Sequence, residues 1–181
     1  MKKIDAWIMG KFDAAAAYAQ RRGFLLTRLH VIAAGSMFVG SMCAIALSKM
    51  PMEFFAFFVT IHGLIWGSYL YATIRWANNN QDYPSSVRMV ERLNSEALRY
   101  RETEIITRFF WVFFLIVYLP LDIMNIIRGS NIPRGIAGIV FDIAPMCMYY
   151  LNGCFFLGPG EFSKQKQKIT TINAVPSGVQ S

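Results

Sequence analysis

Cysteine and histidine are scarce in this chain, with three of the first and two of the second among 181 residues. Cys43, Cys147 and Cys154 all lie within apolar runs. No CxxC pair occurs, and no Cys/His grouping has zinc-ligand spacing, so neither a structural zinc site nor a disulfide framework is indicated. The three thiols read as small buried hydrophobes. Catalytic patterns are missing as well: there is no GxSxG, no HExxH and no phosphate-cradling glycine loop. Charged residues make up only 16% of the chain, and long stretches carry almost none. The net charge of +7 comes without an RNP-like, zinc-finger or helix-turn-helix signature, so no nucleic-acid partner is expected. The basic residues stand instead beside apolar runs, where anionic headgroups would attract them.

What is abundant is apolar surface. Hydrophobic residues are 55% of the chain, phenylalanine alone accounts for 15 positions, and the mean hydropathy is +0.36. A soluble domain of this length rarely needs so much. The fold expected is therefore an all-α integral membrane protein. Four transmembrane helices form two antiparallel hairpins, over 24–48, 52–74, 107–127 and 135–157. Pro51 follows a Lys49-Met50 turn and suits the first turn of the second span. Gly158-Pro159-Gly160 stops the fourth, and a polar tail over 158–181 is expected to be mobile.

Residues 1–22 lack a run long enough for a secretory signal and show helical periodicity instead. Ile4, Trp7, Ile8, Phe12, Ala15 and Ala19 share one broad face; Lys2, Asp5, Met9, Asp13 and Gln20 lie largely opposite. This amphipathic helix either lies in the membrane interface with Trp7 as an anchor or packs on a partner protein. Residues 75–106 are polar and predict a loop followed by a charged connecting helix from about Ser85. Its narrow apolar stripe, Val87, Val90, Leu93, Ala97 and Tyr100, serves either a solvated connector or, through Val90, Leu93, Ala97 and Tyr100, a docking surface for a cytoplasmic partner.

Orientation follows from the basic residues. Lys2, Lys3, Lys11, Arg21, Arg22 and Arg28 flank the N-terminal side, Arg75, Arg88, Arg92, Arg99, Arg101 and Arg108 the central loop, and Lys164, Lys166 and Lys168 the tail. Only Lys49, Arg128 and Arg134 fall on the other face. This bias predicts both termini and the central helix in the cytoplasm, with a bacterial inner membrane as the default location.

Two aspartates interrupt the last two spans. Asp122 and Asp142 lie at similar depth, roughly 9–12 Å from the outer turn. Tyr118, Asp122 and Asn125 share a stripe on the third span; Asp142, Tyr149 and Asn152 share a side of the fourth. A carboxylate facing lipid costs about 2.5 kcal/mol or more, so these stripes should face protein or water. Three roles are open for the pair: a polar knot fixing hairpin register, proton or cation handling, or contact with another membrane subunit. His62 and His30 are candidate polar or cofactor contacts, but they lie roughly 9 Å apart in depth, which disfavours a shared haem. Ser36, Gly40 and Ala44 recur every four positions, and Gly63 with Gly67 forms a GxxxG. Both patterns permit close helix packing, between the first two spans or with a neighbouring protein.

The function expected is a non-enzymatic polytopic subunit of a larger membrane assembly: a secretion, conjugation, phage-related or respiratory complex. The alternative is a small oligomeric transporter or channel using Asp122, Asp142 and His62. A weaker alternative is a haem- or quinone-binding electron carrier. No cofactor is otherwise expected.

Overall fold

The apolar runs and their breakers set the helix limits in the computed structural model, which describes residues 2–129, 132–159 and 161. The polar tail from residue 162 and the turn residues 130 and 131 lie outside the described residues. Six helices are found there: α1 Lys2–Arg21, α2 Leu26–Ala46, α3 Met52–Asn79, α4 Val87–Thr103, α5 Ile105–Ile127 and α6 Ile132–Leu151. Four of them, α2, α3, α5 and α6, are long and apolar enough to cross a membrane. The shortest has 20 residues, or about 30 Å of helix, which matches the thickness of a hydrocarbon core.

Local chemistry explains the ends. Gly23 has φ +88°, and its N–H donates to Gln20 O while Phe24 N–H donates to Ala19 O. That is a Schellman closure, which needs a residue at ease in the left-handed region. Ser86 caps α4 by accepting from Met89 N–H at 3.4 Å. Pro133 fits the first turn of α6, so that helix starts at Ile132 rather than 135. Only Glu104 separates α4 from α5, and its carboxylate accepts from Thr107 Oγ1 at 2.8 Å.

The fourth apolar helix ends earlier than expected, at Leu151 rather than Leu157. Residues 152–154 turn, and the chain then runs on without helix beneath α1 and α4. Gly153 permits this. A Cβ there would meet Met9 Cε at 2.6 Å and Arg101 Cγ at 3.3 Å. Hydropathy could not mark the end, because Cys154, Phe155, Phe156 and Leu157 are as apolar as the helix they follow.

The two expected hairpins, α2–α3 and α5–α6, are joined along α2 and α6, with α3 and α5 outside them. The closest approach is at Gly40, where an added Cβ would sit 3.0 Å from Phe141 N and 3.2 Å from Phe141 Cα. Gly40 thus brings α2 against α6, not against α3. Gly67 does face α2, with Phe38 at 3.6 Å from its added Cβ, but Gly63 has open space around it. Small residues allow close approach without saying which helix arrives.

A second core closes one end of the bundle, here called the capped end. Ala16 of α1, Leu26, Tyr83, Val90 and Leu93 of α4, Cys154 and Phe156 pack together. The stripe proposed for a partner is therefore covered by the chain itself: Leu93 is 1% exposed, and Val90 and Ala97 are also buried. Burying such side chains stabilises by about 1.5–3 kcal/mol for a leucine, and the nearest apolar surface is the chain's own.

Candidate functional site

The aspartates of the third and fourth apolar helices do meet. Asp122 of α5 and Asp142 of α6 are hydrogen-bonded through their side chains, and Asn125 also bonds Asp122. Arg134 lies within electrostatic reach of Asp122. A hydrogen bond between two carboxyls requires a proton on one of them. Gly138, one turn before Asp142, makes the seat: a Cβ there would overlap the Asp122 carboxylate. Gly135 adds a second close approach, 3.0 Å from an added Cβ to Asp122 O. Asp142 is 3% exposed, and its Oδ2 is buried without a hydrogen-bond partner. Such an atom normally costs free energy unless something fills its valence.

The rest of the expected polar cluster is elsewhere. Tyr118 is exposed and stacks on Phe114 with ring centroids 4.2 Å apart. It lies on the outer side of its stripe. Tyr149 stacks on Trp111 at 5.9 Å and approaches Tyr100 at 6.4 Å, toward the capped end. The Tyr100 hydroxyl is buried there without a hydrogen bond of ordinary geometry, with Asn152 beside it. Burial pushes the Tyr100 phenol above its usual range. Tyr149 and Asn152 are therefore parted from Asp142, because one helix face runs past several neighbours along its length.

The histidines occupy separate places. His62 Nδ1 is 2.7 Å from Ser41 Oγ, which ties α3 to α2. His30 Nδ1–H donates to Leu26 O at 2.7 Å, and its ring sits 5.1 Å from Trp76. The two imidazoles do not share a site. Among the described residues, no group of three or more His, Cys, Asp or Glu side chains is placed to hold a metal ion. Of the cysteines, Cys43 is exposed and Cys147 half-buried, so only Cys154 has the fully buried setting expected for all three. Burial pushes the Cys154 thiol up to about 12, which keeps it protonated.

The densest polar arrangement was not signalled by any motif. Arg108, in the first turn of α5, donates from Nε to Asp5 Oδ1 at 3.0 Å and from Nη2 to Asp5 Oδ2 at 2.8 Å. Its Nη1 and Nη2 also donate to the carbonyls of Tyr100 and Arg101, in the last turn of α4. Tyr150 O–H donates to Asp5 Oδ1 at 3.0 Å. The planar fork of arginine satisfies the carboxylate and the helix end together. Burial alone would raise the Asp5 pKa, but the hydrogen bonds and charge of Arg108 outweigh it and hold the carboxyl below its usual range.

Three more side chains stitch the extended segment after α6. Arg101 donates to Gly153 O and to Asp13 Oδ1, both at 2.5 Å, and lies over the Phe155 ring. Gln20 donates to Phe155 O at 2.9 Å, and its Oε1 accepts from Leu157 N–H and from the Tyr83 hydroxyl. Asn94 pairs with both the N–H and the carbonyl of Phe156. Consequently α1 turns its polar side inward. Asp5, Met9, Ala16 and Gln20 are buried, while Ile4 is exposed and Trp7 is 66% exposed. Of the expected apolar face, Ile4 and Trp7 point outward, whereas Phe12 is half-buried and stacks on Tyr150 with ring centroids 5.0 Å apart.

These observations define an all-helical chain with four helices suited to a membrane and a polar-sealed cap at one end. Comparison with protein-family models, with curated proteins and with solved structures finds no match to this chain.

Proposed function

We propose that this chain is a non-enzymatic, four-span subunit of a larger membrane assembly, in the inner membrane of a bacterium, with the capped end in the cytoplasm. Secretion, conjugation, phage-related and respiratory complexes are the classes it suits. The observation that carries the reading is the buried Asp5–Arg108–Tyr150 arrangement. It ties α1 and the end of α4 to α5 and α6, and its hydrogen bonds are made within the chain. The same holds for Arg101, Gln20 and Asn94, so the polar chemistry at this end supports structure. Among the described residues, twelve of the fifteen Lys and Arg flank the capped side and only Lys49, Arg128 and Arg134 the other, which supports that orientation. The outward Trp7 face of α1 suits the lipid interface. The test is photocrosslinking in native membranes from Phe57 of α3 and Ile116 of α5, both exposed. A subunit gives a discrete crosslink to another membrane protein from at least one site; a chain that crosslinks only to lipid is not a subunit.

A second reading, proton or cation transport, is favoured by the unpartnered Asp142 Oδ2 beside Asp122. His62, the third residue of this reading, is hydrogen-bonded to Ser41 through Nδ1 and approaches the Phe141 ring beside Asp142. Ion flux in proteoliposomes that is lost in Asp142→Asn would favour transport over the subunit reading.

A further inference from the structure

A cavity of about 760 Å³ opens at the capped end, between the start of α2 and the end of α3. Small-molecule sites typically enclose about 300–1,000 Å³. One wall carries Thr27 and Arg28 of α2, and the other carries Asn78 of α3 and Asp82 just beyond it. Deeper in, Ile32 and Ile74 make the lining apolar. From Thr27 to Ile32 is about 7.5 Å along the helix axis. The polar zone of a bilayer is about 5–7 Å deep on each side of its hydrocarbon. The cavity therefore spans the depth of one headgroup and reaches the top of the acyl chains.

Opposite charges line this one cavity without meeting. Among the described residues, neither Arg28 nor Asp82 forms an ion pair. Thr27 is 3% exposed, and its hydroxyl makes no hydrogen bond among the described residues. No side chain caps the N-terminus of α2, so the N–H groups of Leu26 and Thr27 have no side-chain acceptor. An arginine, a buried hydroxyl and a free helix N-terminus together suit a phosphate. The Asp82 carboxylate opposes a ligand that is only anionic and suits an ammonium with hydrogens to donate. We propose that this cavity holds the headgroup of an amine-bearing zwitterionic phospholipid, its phosphate against Thr27 and Arg28 and its ammonium against Asp82. The proposal rests on the four-span reading above but not on the presence of a partner subunit.

The full chain is reconstituted into vesicles with equal amounts of phosphatidylethanolamine, phosphatidylcholine and phosphatidylglycerol of the same acyl chains. Lipid retained after release in mild detergent is measured by native mass spectrometry. The expected result is a one-to-one phosphatidylethanolamine adduct, in excess of either other lipid. Arg28→Gln should reduce retention about fivefold, the usual effect of one basic residue near lipid phosphate. Asp82→Asn should remove the preference over phosphatidylglycerol. Ala77→Trp fills the cavity from α3 and should abolish the adduct while the chain keeps its helix content. Equal retention of the three lipids, or an unchanged order in Asp82→Asn, overturns the headgroup assignment. Full retention in both Arg28→Gln and Ala77→Trp overturns the cavity. Soluble phosphoethanolamine that displaces the lipid at equal concentration assigns the cavity to a free phosphate ester and overturns the lipid. Failure of the chain to float with the vesicles overturns the four-span reading and this proposal together, whereas a floating chain without lipid preference overturns this proposal alone.

Discussion

Arg108 and Asp5 lie 103 positions apart in sequence and form a two-bonded ion pair, with the Arg108 side chain only 1% exposed. Removing one partner leaves a buried charge uncompensated, which typically costs about 3–5 kcal/mol. Arg108→Met and Asp5→Leu should therefore each destabilise strongly, whereas the double variant should be less affected than the sum. Arg108→Lys should rescue little, since a lysine cannot reach both carboxylate oxygens and two carbonyls at once. Thermal melts in detergent, arranged as a double-mutant cycle, check this. Additive losses would show that the pair is not coupled.

The same pair sets an acid limit. Asp5 is held below its ordinary value of 3.8 in the folded chain. Its contribution to stability is therefore fully present above that value and is lost as the pH falls through the lower folded value. Melting temperature should decline below about pH 4 in the wild type, and the part of that decline due to Asp5 should vanish in Asp5→Asn. An identical acid profile in both would remove Asp5 from the cause.

At the other carboxyl site, Asp122→Asn should preserve the fold, because an amide can donate to Asp142. Asp122→Leu should cost on the order of 1–3 kcal/mol by leaving Asp142 without its partner. Gly138→Ala should cost about 1–3 kcal/mol by overpacking against the Asp122 carboxylate, and far less in an Asp122→Ala background. Cysteines at 122 and 142, in a chain otherwise free of them, should cross-link with a short reagent. Unfolding midpoints and the cross-linking yield decide the matter; no cross-link would contradict the pairing.

Glycine substitutions distinguish the real helix contact from the motif. Gly40→Ala presses a methyl against the Phe141 backbone, which cannot turn aside as a side chain can, so it should destabilise. Gly63→Ala meets nothing and should be neutral or stabilise by up to about 1 kcal/mol through helix propensity. Reversal of this order in unfolding experiments would show that α2 packs elsewhere.

The long apolar helices were readable from sequence because each has a continuous run of sufficient length between Pro, Gly or charged breakers. The meeting of Asp122 with Asp142 was also readable, from similar distances to a shared turn. The seat beneath it, Gly135 and Gly138, was not, since a glycine in an apolar run carries no sign of what approaches it. Nor was the direction of α1. Its apolar face was legible as a surface for the membrane interface or a partner, but nothing marked Asp5 and Gln20, on the opposite face, as the residues that meet Arg108 and Tyr83. Arg101 and Arg108 were legible only as positive charges. Their partners, Asp13 and Asp5, lie in another helix, and one sequence carries no record of such long-range pairing. The stripe of Val90, Leu93 and Ala97 was visible as a contact face, but periodicity cannot distinguish a surface awaiting a partner from one covered by the same chain.

The orientation assigned here can be read from single cysteines in a cysteine-free chain. Ser95→Cys on α4 should react with an impermeant reagent only when the cytoplasmic face is opened. Lys49→Cys and Arg128→Cys should react from outside in intact cells. All three positions are exposed. The opposite pattern would invert the topology.

The central claim, that this chain is a subunit, is tested most directly by the mass of the particle it forms. The chain is extracted gently from its own membrane at native expression, and the particle is weighed by native mass spectrometry. The account predicts a defined complex containing at least one other membrane protein at fixed ratio, unchanged by Asp122→Asn. A particle containing only copies of this chain would contradict it.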